Sequence, residues 1–231
     1  MTLTLYLHPL SSFCHKVLIA LYENGVSFES RVVNPGDEEA RARFLEMSPF
    51  GKIPVLRDER RDRTILETSI IIEYVDLHYP GAHPMLPEGD PMRLEARLWD
   101  RLFDLYVNVP LQKIVIDRLR STGEHDPRGV SEARATLRTA YDMIERHMAD
   151  KTWATGESFS IADCAAAPAL FYAGIVEPFS EARPNVAAYF ERLLKRPSFA
   201  RTLAEARPYF HMFPFKDEMP ARFLGDEAAE A

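Results

Sequence analysis

Residues 5–21, which read LYLHPLSSFCHKVLIAL, decide the fold of this chain. Alternating apolar residues at their start, ended by Pro9, predict a short strand over 3–8. Apolar residues at helical spacing then predict a helix over 12–24, with Gly25 just beyond its end. The chain therefore opens with a strand that passes through a short junction into a helix.

The junction holds Ser11, Ser12 and Cys14. Unpaired backbone N–H groups and the positive end of the helix dipole favour an anion at the start of a helix. A thiolate is one such anion. The serines can also simply cap the helix, and Cys14 can be either a buried apolar filler or a nucleophile. The residues of the junction alone leave these alternatives open.

Strands and helices alternate through the first 80 residues. A strand, a helix and a second strand in succession predict a parallel crossover, and a charged turn between two later strands predicts a hairpin. We expect a small α/β domain over residues 1–80. Its remaining elements are predicted as a strand over 27–34, a helix over 37–47, strands over 54–57 and 64–66, and a helix over 68–79.

The rest of the chain has the pattern of helices. A stretch rich in Pro and Gly predicts a linker over 81–91, and the apolar residues beyond it recur only at helical spacing. Ser160 and Asp163 form a variant of the capping box ahead of a small, apolar helix, which predicts a helix buried at the centre of its domain. We expect an all-helical domain over 92–215 and a polar C-terminal tail over 216–231.

Composition argues against several classes of function. The chain has 231 residues, of which 46% are hydrophobic and 27% charged, and its net charge is −7. Such a chain is typical of ordinary globular proteins, and without a basic cluster or a long apolar run we expect no nucleic-acid partner and no membrane span. Its two cysteines, Cys14 and Cys164, belong to no Cys-x-x-Cys pair or Cys/His cluster. We therefore expect a cytoplasmic protein with no metal site.

Two further segments carry polar groups suited to a small charged ligand. Pro54 starts an apolar strand and is a candidate for a cis peptide bond, which would free the backbone N–H and C=O of Ile53 for a ligand. At the start of a later helix, Thr68 offers its hydroxyl and backbone N–H to a carboxylate, and Glu67 can take an ammonium group. The first domain thus has three candidate binding segments, counting the junction at Ser11.

These three segments, in this order and followed by a helical domain, resemble the glutathione S-transferase family, and the resemblance covers nearly the whole chain. The strand–Ser-Ser-x-Cys–helix segment around Ser11 is similar to that of the serine-type classes, especially zeta and theta. The resemblance implies a thioredoxin-like first domain, glutathione as co-substrate and a homodimer. It also implies that Ser11 donates a hydrogen bond to the glutathione sulfur and stabilises the thiolate, which then attacks a small electrophile held by the second domain.

The resemblance further implies which residues bind each part of glutathione. They are the backbone of Ile53, next to Pro54, for the cysteinyl backbone; Glu67 for the γ-glutamyl ammonium; Thr68 for the γ-glutamyl carboxylate; Lys52 for the glycyl carboxylate; and Phe13 beside the thiol.

The electrophile pocket has weaker candidates. Leu10, Tyr106, Val109 and Tyr172 are residue types that would line such a pocket, although they are equally typical of a core. The apolar run over 209–215 predicts that this segment packs back on a domain or covers the pocket. Two alternatives use the same fold: a glutathione-dependent isomerase or dehalogenase, and a binding protein without catalytic activity.

Overall fold

A computed structural model of the chain describes residues 3–34, 38–81, 83–179 and 181–225. The first part alternates strands and helices, as the hydrophobic pattern predicts. Its elements are β1 (Leu3–Leu7), α1 (Ser12–Glu23), β2 (Glu29–Val32), α2 (Glu38–Met47), β3 (Val55–Asp58), β4 (Arg63–Ile65) and α3 (Thr68–His78).

The strands form one sheet in the order β2-β1-β3-β4. β1 pairs with β2 in parallel, which is the predicted crossover, and β3 and β4 form the predicted hairpin. Leu5 on β1 lies opposite Ser30 on one side and Leu56 on the other, and both leucines are fully buried. α1 and α3 pack against each other and share one apolar core with the sheet, so the predicted thioredoxin-like domain is confirmed.

The second part is helical, as predicted. None of its helices within the described ranges has the combination of length and apolar character that a membrane span requires. Its elements are α4 (Asp90–Leu102), a π-helical turn (Phe103–Asn108), α5 (Val109–Arg118), α6 (Pro127–His147), α7 (Ile161–Val176), α8 (Pro184–Leu194), α9 (Pro197–Ala206) and the 3-10 turns Arg207–Met212, Lys216–Glu218 and Ala221–Phe223.

α7 is the central helix of the second part, and the predicted capping box starts it. One oxygen of Asp163 accepts hydrogen bonds from the backbone N–H of Ser160 at 2.9 Å and from its hydroxyl at 3.1 Å. The other accepts from the backbone N–H of Ala154 at 2.8 Å and the hydroxyl of Tyr189 at 2.6 Å. Asp163 is fully buried and all four donors satisfy it, so it holds the start of α7 in place.

Helix boundaries differ from the prediction at two prolines. α4 begins at Asp90, inside the predicted linker, because Pro91 fits the first turn of a helix, where no N–H is needed. α4 ends at Leu102 and passes into the π-helical turn ahead of Pro110, which lies in the first turn of α5. The start of the helix predicted over 37–47 and position 82 of the predicted linker lie outside the described residues.

The C-terminal segment packs against the helical domain. Phe210 and Phe213 are buried, in agreement with the expectation that the apolar run over 209–215 packs back. The polar segment that follows also packs against the domain in part. Met219 is buried, and the ring of Phe223 lies 4.9 Å from that of Phe171. Residues 226–231 of the predicted tail lie outside the described part of the chain.

A buried ionic cluster joins the two domains. Lys16 on α1 is fully buried, and its Nζ lies 2.6 Å from Asp100 Oδ1 and 2.7 Å from Asp104 Oδ2 of the helical domain. The same Nζ donates to Ser69 Oγ on α3 at 3.1 Å, and Ser69 Oγ donates to Asp100 Oδ2 at 2.5 Å. Since a buried charge is costly without its partners, this cluster fixes α1 and α3 against the start of the helical domain.

Candidate functional site

A cleft of about 730 Å³ lies between the two domains, a size typical of small-molecule sites. All three predicted binding segments of the first domain line it, and the helical domain supplies the opposite wall. Its lining residues are Leu10, Ser11, Ser12, Phe13, Ser48, Phe50, Gly51, Lys52, Ile53, Pro54, Leu66, Glu67, Thr68, Arg101, Asp104, Leu105, Val109, Leu111, Gln112, Val115, Ile116, Tyr172 and Phe213.

Ser11 is the residue that caps α1 at this cleft. Its Oγ accepts a hydrogen bond from the backbone N–H of Cys14 at 3.3 Å. A hydroxyl has two lone pairs and one hydrogen, so accepting this bond does not use the O–H, which can donate to the neighbouring Cys14 sulfur or to a ligand. The capping role and the proposed binding role of Ser11 are therefore compatible. Ser12 is buried but also lines the cleft.

Cys14 is placed differently from the two serines. Its side chain is fully buried and does not line the cleft. Burial raises the pKa of the Cys14 thiol to about 12, so the thiol stays protonated at neutral pH. A buried, protonated thiol is a poor nucleophile, and this favours the interpretation of Cys14 as a packing residue.

The loop before β3 presents backbone groups to the cleft. The Ile53–Pro54 peptide bond is cis, as predicted. Ser48 Oγ donates to the carbonyl oxygen of Lys52 at 3.0 Å, and the backbone N–H of Gly51 donates to the carbonyl oxygen of Ser48 at 2.8 Å. Within the described residues no hydrogen bond engages the backbone N–H or C=O of Ile53, so both are free for a ligand. No pattern in the sequence indicates the anchoring role of Ser48.

Glu67 has a strained backbone immediately ahead of α3. Its φ of 66° and ψ of 123° lie in a region that residues other than glycine rarely adopt, at a cost of roughly 1–3 kcal/mol. Such strain is concentrated at binding and active sites. No side chain caps α3, so the backbone N–H groups that begin with Thr68 are available to a carboxylate at this edge of the cleft.

The structure brings three of the four electrophile-pocket candidates to the cleft. Leu10, Val109 and Tyr172 line it, whereas Tyr106 does not line it and is 56% exposed. Tyr106 lies in the π-helical turn. Leu105 and Val109 are four residues apart and share the side that faces the cleft, so the adjacent Tyr106 is turned away from it.

The helical domain also contributes lining residues that the sequence did not single out. Arg101 donates to Asp104 Oδ2 at 3.2 Å, and this pair lines the cleft near the start of α3. Gln112 adds a polar group from α5. Phe213 comes from the C-terminal segment, where the apolar run over 209–215 was the available signal. Apart from Tyr172, the rest of this wall is apolar.

His15, for which the sequence suggested no role, is fully buried behind the junction. Its Nε2 lies 2.5 Å from the carbonyl oxygen of Pro9, and its ring lies 5.6 Å from that of Tyr172. Burial lowers the pKa of His15 to about 4, so the ring is neutral and donates from Nε2 to the Pro9 carbonyl. This bond holds the turn between β1 and α1, on which Ser11 is carried.

Comparisons with known proteins cover both domains. Family models of the glutathione S-transferase N-terminal domain and C-terminal domain match residues 5–83 and 117–192. Glutathione S-transferase 3 of Zea mays is 31% identical to this chain, over 87% of the chain and 93% of its own length. The stringent starvation protein A homolog of Histophilus somni is 27% identical, over 89% of the chain and 92% of its own length.

The solved structures include relatives with the same fold. A glutathione S-transferase from Methylobacterium radiotolerans, in complex with glutathione sulfonate, superposes with a TM-score of 0.76 at 27% identity. The match covers 87% of this chain and 94% of that one. That relative therefore carries a glutathione derivative on the fold described above.

Proposed function

The chain belongs to the glutathione S-transferase family, and on that premise we propose that it conjugates glutathione to a small electrophile. The observation that carries the proposal is the common cleft of Ser11, Ile53 and Glu67–Thr68. A hydroxyl, an unpaired peptide group and a carboxylate beside an uncapped helix match the thiol, the backbone and the charged γ-glutamyl end of glutathione. Lys52 and Phe13 line the same cleft and complete the proposed binding set.

In this proposal Ser11 acts by stabilising the thiolate and is not itself deprotonated. A cysteine thiol has a pKa of about 8.5, and lowering that value by about two units requires about 2.7 kcal/mol. A hydrogen bond to a charged acceptor supplies roughly 1.5–3 kcal/mol. The start of a helix adds roughly 0.3–1 kcal/mol. The O–H of Ser11 and the N-terminus of α1 are therefore sufficient to favour the thiolate.

The test is the titration of bound glutathione in the wild-type protein and in Ser11→Ala and Ser12→Ala, followed by ultraviolet absorbance of the thiolate. We expect a thiol pKa of about 6.5 in the wild type and in Ser12→Ala, and about 8 in Ser11→Ala. Glutathione should still raise the melting temperature of Ser11→Ala, since its other contacts remain. Wild-type conjugation activity in Ser11→Ala would remove Ser11 from the mechanism.

We also propose that the protein is a homodimer, formed through the face of α3 and α4. Apolar side chains on these helices are exposed in the single chain, among them Ile70, Leu77, Leu94 and Leu98. Arg97 Nη2 lies 2.7 Å from Glu73 Oε2, so the two helices are in contact. Exposed apolar side chains on neighbouring helices favour an interface. Phe50, which is 85% exposed, lines the cleft. A second copy would cover these side chains.

Other reactions on the same fold remain alternatives. Glutathione-dependent isomerisation or dehalogenation would use the same binding set with a different electrophile. A binding protein without catalytic activity is favoured by one observation, the similarity to a relative named for stringent starvation and not for transfer. A panel of electrophiles separates the first two, and glutathione that fails to raise the melting temperature at millimolar concentration would favour the last. The free, buried Cys14 and Cys164 fit a reducing compartment such as the cytoplasm.

A further inference from the structure

Ser11 is the last residue of a four-residue turn that links β1 to α1. The backbone N–H of Ser11 donates to the carbonyl oxygen of His8 at 3.0 Å, and this bond closes the turn. Pro9 and Leu10 are the central residues, and Leu10 has no positive φ, which excludes a type II turn. The position of Ser11 at the cleft therefore depends on the conformation of this turn.

Two histidine side chains hold the peptide group at the centre of the turn. That group consists of the Pro9 carbonyl and the Leu10 N–H. His15 Nε2 lies 2.5 Å from the Pro9 carbonyl oxygen, and the Leu10 N–H donates to His8 Nδ1 at 3.2 Å. The bond that closes a β-turn joins its first and last residues, so it leaves the central peptide group unengaged. Here both ends of that group are fixed by side chains.

The protonation states of both rings suit these two bonds. Burial lowers the pKa of His15 to about 4 and also lowers the pKa of His8, so both rings are neutral at neutral pH. A neutral imidazole has one N–H and one acceptor nitrogen. His15 therefore donates from Nε2, and His8 accepts at Nδ1. The other nitrogen of His15 has no partner among the described residues, so the Pro9 carbonyl is the polar contact of this buried ring.

On the side of α1, the Ser11 hydroxyl is held only weakly. The bond from the Cys14 N–H to Ser11 Oγ is 3.3 Å long, slightly beyond the usual range for such bonds. The Ser11 O–H can also donate to the Cys14 sulfur, so a displaced hydroxyl has an alternative acceptor within reach. Since a catalytic group displaced by about 1 Å can lose about 100-fold in rate, the turn must hold Ser11 in place.

This inference rests on the proposed transferase function, in which the Ser11 hydroxyl stabilises the glutathione thiolate. We propose that His15 is a positioning residue for that reaction. It fixes the Pro9 carbonyl, while His8 fixes the Leu10 N–H, and the turn so held directs the Ser11 hydroxyl at the glutathione sulfur. His15 does not line the cleft, so it acts through Ser11 and not on glutathione itself.

The alternative is a purely structural role for His15. The ring would then fill the space behind the junction and satisfy the Pro9 carbonyl, with no effect on the chemistry of Ser11. Its loss would lower the stability of the protein and nothing else. The pKa of the bound glutathione thiol separates the two roles, because it reports the hydrogen bond to the sulfur and does not report stability.

The experiment measures that thiol pKa by ultraviolet absorbance of the thiolate, together with the melting temperature. His15→Leu removes the donor to the Pro9 carbonyl, whereas His15→Gln keeps an amide that can donate to it. Ile19→Val shortens a fully buried side chain of the same helix and controls for a loss of stability. The double variant Ser11→Ala/His15→Leu is compared with Ser11→Ala alone.

We expect a thiol pKa of about 6.5 in the wild type and about 7.5 in His15→Leu, which is about 5-fold less thiolate at pH 6.5. His15→Gln and Ile19→Val should stay within about 0.3 of the wild-type value. The double variant should match Ser11→Ala, because a residue that acts through Ser11 has no effect once its hydroxyl is gone. A further rise in the double variant would overturn the positioning role.

His8 provides a second pair of variants on a less buried side chain, which keeps the proposal testable if His15→Leu does not fold. His8→Asn keeps an acceptor for the Leu10 N–H, since an asparagine side chain bonds the backbone two residues on, whereas His8→Ala removes it. We expect the thiol pKa to rise by about 0.5 in His8→Ala and to stay at the wild-type value in His8→Asn. The same value in both variants would remove His8 from the proposal.

The outcomes separate the two proposals. A low thiol pKa in the wild type that His15→Leu leaves unchanged would overturn the positioning role alone. The same result would follow from a rise in His15→Gln as large as the rise in His15→Leu. A thiol pKa that is equal in the wild type and in Ser11→Ala would instead overturn the role of Ser11, and the role of His15 with it.

Discussion

Lys16 Nζ and Asp104 Oδ2 lie 2.7 Å apart across the boundary between the two domains, and neither side chain reaches solvent appreciably. Asp104 also lines the cleft, so the contact links the packing of the domains to the wall of the site. A buried ion pair of this kind stabilises the fold little more than apolar residues in place of both partners would. Removal of one partner alone, however, leaves an unpaired buried charge.

We therefore expect Lys16→Met to lower the free energy of unfolding by about 3–5 kcal/mol, measured by urea denaturation. The matched control is Lys113→Met, since the Lys113–Asp126 pair is exposed and should be worth less than about 1 kcal/mol. Similar losses in the two variants would contradict the anchoring role of the buried cluster.

His15 should make stability depend on pH. Its pKa is lowered to about 4 in the folded protein from 6.5, so the unfolded chain takes up the proton first as pH falls. The contribution of His15 is complete above pH 6.5 and is lost as pH falls toward 4, by at most about 3 kcal/mol. We expect urea denaturation between pH 7 and 4.5 to give a shallower loss of stability in His15→Gln than in the wild type.

Glutamine is the informative replacement because its amide can still donate to the Pro9 carbonyl. His211→Gln, on the surface, controls for the change of residue type. A pH profile of His15→Gln that matches the wild type would show that the buried ring contributes no proton linkage.

The strained backbone at Glu67 predicts opposite effects on stability and binding. Glu67→Gly should relieve the positive φ and raise the free energy of unfolding by about 1 kcal/mol, less the entropy that glycine adds to the unfolded chain. Glu67→Gln keeps the strain, so its stability should match the wild type. Both variants should weaken glutathione binding, measured by calorimetry, because both remove the carboxylate. Unchanged affinity in both would remove Glu67 from the binding set.

The proposed dimer can be tested on α4. Leu98→Asp places a charge at the centre of the proposed interface and should convert the dimer to a monomer by light scattering. Leu119→Asp changes an equally exposed leucine at the end of α5, away from this face, and should remain a dimer. A wild-type protein that is monomeric at micromolar concentration would refute the homodimer directly.

Local patterns in the sequence were sufficient for the elements of the fold. The alternation before Pro9, the capping box at Ser160 and the apolar stretch after it each depend on neighbours within a few residues. The three binding segments were found for the same reason, since each is a short junction between a strand and a helix. That these segments meet at one cleft depends on the whole fold, and it was predicted only through the resemblance to a family.

Long-range contacts account for what the sequence did not reveal. Lys16 is ordinary in a helix, and only the folded chain shows that Asp100 and Asp104, more than 80 residues away, bury it. The π-helical turn that contains Tyr106 follows from no residue type in the segment. Likewise, only the folded chain shows that the buried hydroxyl of Tyr172 has no hydrogen-bond partner among the described residues.

The π-helical turn has one more consequence. Such a turn holds one residue more than the α-helix it interrupts, and each residue in a helix turns the chain by about 100°. The angular position of Val109, Val115 and the rest of the α5 wall is thus governed by the length of the segment ahead of it. Relatives on this fold can therefore acquire a differently shaped pocket by losing or gaining a single codon there, with no change to any residue of the proposed glutathione-binding set.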